Sequence, residues 1–252
     1  MPTCSTLPAR DSLGMTLLTV ECALDEASLF RAGLSIEEAE EMRRCAAWTT
    51  TYPLQRVKKR RRVEAICPML APSLTSRGLR FAHAPIGERE PSLDRLDDLL
   101  REAADRFESE VDCPDPRLKC LVVVIPDVRG GRLLEATEPR REIKNELLRR
   151  GILVGEFFPS CPFATTFNPR LFALRSPSPM YVLRSFIESD WRFICQVPAW
   201  QQTYRDRFGE PPPRLRHLGG PLWRLKQKIG WRLDALRRRF SPGGSDPAAL
   251  EP

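Results

Sequence analysis

Apolar positions recur along this chain with two spacings, one that suits helices and one that suits buried strands. Ile36, Ala39, Met42 (or Arg43), Ala46 and Thr50 share one helix face. Ser35-Ile-Glu-Glu38 opens that helix as a capping box, whose side chains satisfy free amides reciprocally, and Pro53 ends it. A second helix starts at Ser92 and carries Leu93, Leu96, Leu99, Leu100, Ala103 and Phe107 on one side. Alternation over 79–86 predicts a strand, and so does the short run 152–158. Within 118–125, Leu121-Val-Val-Val-Ile125 is apolar throughout, as a central strand buried on both faces must be.

The remaining elements are shorter. A charged helix is predicted over 138–150, with Pro139 in its first turn and Gly151 at its C-terminal cap. Apolar residues at 180, 183, 186/187 and 191 predict a further helix, with Arg184 and Glu188 as an i,i+4 ion pair. Tyr181-Val-Leu183 taken alone would suit a strand equally well. Residues 199–208 read as a helix capped by Gly209. From Leu222 a stripe of Leu225, Ile229, Leu233 (or Trp231), Leu236 and Phe240 marks a basic amphipathic helix. Together these elements predict a mixed α/β fold, a small central sheet flanked by helices.

The predicted organisation is a largely disordered segment over 1–34 and a globular domain over 35–209. A proline spacer with the basic helix follows over 210–240, then a disordered tail over 241–252. A hydrophobic content of 42% over 252 residues is enough to bury a real core. Apolar runs all fall short of the ~20 residues of a membrane span, and no secretory signal opens the chain. Reduced thiols and a cytoplasmic location are therefore expected. The net charge of +7 is concentrated: residues 214–240 hold nine Lys and Arg against Asp234 alone. That helix could lie on an anionic membrane, making the protein peripheral there, or enter the groove of a protein partner. The rest of the chain is nearly neutral, which argues against a fold-wide nucleic-acid groove.

Candidate chemistry is sparse. Cys67 precedes Pro68, so its backbone is biased to an extended form and its thiol held in a fixed direction. It reads either as a buried small hydrophobe or as a nucleophile, metal ligand or haem-iron ligand. His83, in the 79–86 strand, is one of two histidines. Residues 56–62 hold six cations in seven positions and read as a solvated connector or an anion contact. Within 151–195, prolines at 159, 162, 169, 177 and 179 forbid a continuous helix. Phe157, Phe158 and Phe163 make the stretch too apolar for a linker. A rigid aromatic loop with an arginine, Arg175, suits the wall of a pocket or the edge of a core.

Three pieces resemble a family of bacterial, often actinobacterial, proteins classed as a domain of unknown function. They are Ala47-Trp48 with Ile66-Cys67-Pro68; Gly155-Glu-Phe-Phe-Pro159 with Asn168-Pro, Leu174-Arg175-Ser-Pro-Ser-Pro179 and Met180; and Ser189-Asp190-Trp-Arg-Phe with Trp200 and Tyr204. That family is in turn similar to the YqcI/YcgG proteins, one branch of which acts as haem-dependent N-hydroxylases. The resemblance implies a cytosolic oxidoreductase of bacterial natural-product biosynthesis, a haem-dependent oxygenase acting on a small molecule. In it Cys67 or His83 would contact iron and Arg175 or Arg184 would hold a substrate or haem carboxylate. Asn168 would donate hydrogen bonds. Relatives tend to carry His-Pro where this chain has Phe158-Pro159, so iron would here fall to Cys67, Cys161 or His83. The competing reading is a non-catalytic binding protein of the same fold, attached through its basic helix.

Overall fold

The structure is a computed structural model and describes residues 15–216 and 218, except 60, 61, 140, 166, 167 and 169. Packing groups the chain into two compact units, one ending at Ile187 and one beginning at Glu188. The basic helix expected from Leu222 and the two chain ends lie outside the described residues.

Regular structure begins earlier than the composition of 1–34 suggests. β1 (Thr16–Thr19) leads into α1 (Val20–Leu24) and α2 (Glu26–Arg31). Thr19 and Asp25 cap these helices through their side-chain oxygens, so polar residues that look like loop composition are helix starts. α3 (Ile36–Thr51) opens on the expected box: the Ser35 amide donates to Glu38 at 2.7 Å and the Glu38 amide to Ser35 at 3.3 Å. It buries Ala39, Met42, Cys45 and Ala46, whereas Ile36 at the first turn is 70% exposed. A tight turn over Tyr52–Leu54 ends it. The basic run then forms a hairpin, β2 (Arg56–Lys59) paired antiparallel with β3 (Arg62–Ala65).

α4 (Leu70–Thr75) precedes β4 (Leu79–His83), and α5 (Leu93–Ser109) precedes β5 (Cys120–Val124). α6 (Gly130–Ala136) starts at the glycine pair Gly130-Gly131. α7 (Glu142–Arg149) is shorter than the predicted 138–150 helix, and Gly151 follows it at φ 83°, where a side chain would be strained. β6 (Ile152–Phe157) completes the expected strands.

The predicted helix from residue 180 is instead β7 (Met180–Ser185). Tyr181 and Leu183 pack into one core cluster and Met180 into the other, so the strand is apolar on both faces and shows no alternation. Arg184 and Glu188 are consequently not one helical turn apart.

The sheet order is β1-β4-β5-β7-β6. β4 and β5 are parallel, and the other neighbours antiparallel. One face is covered by α5, α6 and α7 around Leu100, Leu133 and Leu147. The second is covered by α1 to α4 around Leu29, Met42 and Leu70. The result is a three-layer α/β sandwich, as the mixed α/β reading expects.

The second unit holds α8 (Trp191–Ile194) and α9 (Pro198–Phe208), the latter ending at Gly209 with φ 73°. Tyr204 anchors it: its hydroxyl donates to the Glu188 carbonyl at 2.7 Å and its ring meets Trp191 and Phe208.

Candidate functional site

Strand register sorts the sequence-derived candidates. On the second face, Leu79, Cys120, Arg184 and Leu153 form one row across β4, β5, β7 and β6. His83, Val124, Met180 and Phe157 form another row, four residues further along each strand. At ~3.3 Å per residue the two rows lie about 13 Å apart. His83 and Arg184 thus share a face but stand at opposite ends of it.

His83 sits under α3. It is 4% exposed, and its Nδ1 lies 3.7 Å from Glu38 Oε1. Cys161 is fully buried, and burial raises its thiol pKa. Cys67 differs. It is only partly buried and packs at the margin of the second cluster with Trp48, Leu54, Cys120, Phe157 and Val182. Its amide donates to the Pro53 carbonyl at 2.9 Å, which ties it to the end of α3. Burial, reinforced by nearby Cys67, pushes the Cys120 thiol up to about 12 against the opposing charge of Arg184. Cys120 is therefore a neutral thiol at physiological pH, and Cys67, Cys120 and Arg184 stand together at one end of the face.

The other end is built by the loop between β6 and β7. Arg175 donates from Nε to the Cys161 carbonyl at 3.1 Å, and its guanidinium carbon lies 3.9 Å from the Phe172 ring centre. Trp48 stacks on Tyr52 at 5.1 Å and meets Phe157 edge-on at 6.2 Å. Burial raises the Tyr52 pKa, and the charge of Arg175 acts against that rise. The Phe158 amide donates to the Leu174 carbonyl at 3.2 Å, which brings the Arg175 segment to the end of β6 where Phe157 meets Trp48, so Arg175 stands with Phe172 on the side of the Trp48–Tyr52 stack.

The Arg-Ser-Pro-Ser-Pro segment explains why this loop holds its shape. Ser178 donates to Glu41 of α3 through a short hydrogen bond and accepts from Arg44 at 3.2 Å. Ser176 donates to the Ser178 carbonyl at 2.6 Å. Ser178, between Pro177 and Pro179, clips the entrance of β7 onto α3, and Ser176 braces it. Asn168 serves the loop itself. Its side-chain oxygen accepts from the Arg170 amide at 3.0 Å, and its carbonyl accepts from Thr165 Oγ1 at 3.0 Å. That oxygen is used within the loop, and the donor role the resemblance implies falls to the Asn168 side-chain nitrogen. Phe158 is 3% exposed and lies against Gly130. A Cβ at 130 would stand 2.2 Å from its Cγ.

Five candidates thus resolve into three places: Cys67 with Arg184, Arg175 with Asn168 in the loop, and His83 beside Glu38 beneath α3. Tyr52, Phe172 and Cys120 escape a reading by motif. Trp48 and Tyr52 carry a usable signal, since an i,i+4 spacing brings two rings together on one helical face. Among the described residues no group of three His, Cys, Asp or Glu could hold a metal ion. No helix among them is long and apolar enough to cross a membrane.

This is an α/β sandwich protein whose second sheet face is fully covered over β1 and β4 but only partly over its other half, where Cys120, Phe157 and Val182 are half-buried. The chain belongs to the family described as Domain of unknown function (DUF6875), whose model matches residues 42–217. No curated protein and no solved structure gives a significant match.

Proposed function

We propose that this protein is an enzyme acting on a small molecule at the partly covered half of the second sheet face, with a haem held there by Cys67. Access carries the reading. Of the three residues open to the iron-ligand role, His83 and Cys161 are buried in packed surroundings, while Cys67 is partly exposed. The neighbouring residues suit the group in kind. Leu54 and Val182 at the margin of the same cluster offer apolar surface and Arg184 a planar fork for a carboxylate, while Trp48, Phe157 and Arg175 stand toward the other end of the face. A thiolate-ligated haem supplies oxygen activation. The chain's own residues would anchor it, orient the substrate and exclude water from the sheet face. The resemblance to the YqcI/YcgG proteins supports a reaction of bacterial specialised metabolism.

The test is a visible spectrum of the full chain purified from cells supplied with a haem precursor. A stoichiometric Soret band that is lost or shifted in Cys67→Ala, and retained in His83→Ala, is expected. A folded sample with no Soret band overturns the proposal.

A further inference from the structure

We propose that Arg175, Tyr52 and Trp48 form a receptor for a small aromatic carboxylate, and that such an acid is the substrate class of this protein. Its status as substrate rests on the enzyme reading above; the binding itself does not.

Several half-buried arginines of this chain meet carboxylates, while Arg80 meets backbone carbonyls. Arg106, Arg132, Arg141 and Arg150 each have a side chain less than a quarter exposed, and each pairs with a carboxylate. Arg175 is likewise partly buried, yet it pairs with no carboxylate among the described residues. Its Nε is occupied by the Cys161 carbonyl and its face by Phe172, which fixes the plane of the guanidinium. Both terminal nitrogens are left as a preorganised fork. A partly desolvated charge of this kind is best satisfied by an oxyanion that binds two nitrogens at once.

The surroundings select the kind of anion. Tyr52 is a neutral phenol at pH 7, as any tyrosine is, and its hydroxyl has no hydrogen-bond partner among the described residues. It supplies an O–H donor beside the Arg175 charge. Trp48, stacked on Tyr52 and edge-on to Phe157, offers a flat apolar wall. One fork, one neutral donor and an aromatic wall match a monoanion with a ring. A free phosphate would use the fork and waste the wall.

The experiment is a calorimetric titration of the full-length protein with benzoate, with benzamide as its uncharged counterpart, and with inorganic phosphate. Saturable benzoate binding is expected, with benzamide and phosphate each at least ~10-fold weaker, the scale of one lost charge-assisted contact. Arg175→Gln should abolish the preference for benzoate over benzamide. Arg175→Lys, which keeps the charge and the fold but not the fork, should weaken benzoate by a similar factor. Tyr52→Phe should weaken it several-fold. Equal binding of benzoate and benzamide, undiminished binding by Arg175→Gln, or phosphate matching benzoate would each overturn the proposal. Benzoate binding through Arg175 in a protein with no Soret band leaves the acid site standing and sinks the haem reading. A Soret band with no benzoate preference does the reverse.

Discussion

Ser178 reaches from the entrance of β7 to Glu41 on α3, joining residues 137 positions apart in the sequence. The same hydroxyl accepts from Arg44. This contact sets the position of the whole β6–β7 loop, because Arg175 lies three residues before it. Ser178→Ala removes both bonds and leaves a partly buried carboxylate short of a donor. A loss of about 1–3 kcal/mol in chemical denaturation is expected. The variant should also lose part of the Arg175-dependent binding, although no charge has changed.

Gly130 has no room for a side chain. A methyl group there would overlap the Phe158 ring, which is itself buried. Gly130→Ala should destabilise the protein by roughly 1–3 kcal/mol through overpacking. In a chain of this size that is a melting-temperature drop of several degrees, read by calorimetry. Gly131→Ala serves as the control, since a Cβ there meets nothing within 4 Å.

Lys144 of α7 pairs with Glu156 of β6 at 2.9 Å, and both side chains are nearly buried. Removing one partner strands the other's charge. Lys144→Met should cost about 3 kcal/mol, and Lys144→Met with Glu156→Gln should recover much of it. Urea denaturation of the two variants checks this.

Asp97 gives a pH dependence of unusual sign. Burial raises its pKa despite a short hydrogen bond from Arg141. A carboxyl raised on folding favours the folded state while protonated, and that contribution is lost as pH rises through the folded pKa. Below the unfolded value, near 3.8, it is fully present. Asp97→Asn carries no such titration. Its stability relative to the unmodified chain should therefore improve as pH rises from about 3 towards neutrality. A relative stability that falls over the same range would contradict the assignment.

Much of the sheet was legible in local pattern. The capping box at Ser35 and the apolar run at Leu121–Ile125 state their structure within a few residues. β7 was not, because a short strand buried on both faces has an apolar run with no period of its own. β1 is four residues long and looks like the edge of a tail. The site was less legible than the fold. Cys67, Cys120 and Arg184 meet through strand register and through the return of the chain after β3, neither of which leaves a spacing in the sequence. His83 could be placed on a strand, but only α3 decides that it faces Glu38. Arg175 was visible as an arginine in an aromatic loop, but the Cys161 carbonyl and the Phe172 ring that fix its guanidinium leave no spacing in the sequence.

Cys67 is a partly exposed thiol on the second sheet face, in the same burial class as Cys22 and Cys120 and unlike the buried Cys45, Cys113, Cys161 and Cys195. Timed alkylation of the folded protein with iodoacetamide, read residue by residue by mass spectrometry, tests this difference most directly. The structure predicts that Cys67 is modified well before Cys45, Cys113, Cys161 and Cys195, all of which are buried. Burial also pushes the Cys45 thiol up to about 11 and so holds back its thiolate. Modification of Cys161 as fast as Cys67, or a Cys67 that reacts only on unfolding, would contradict the account.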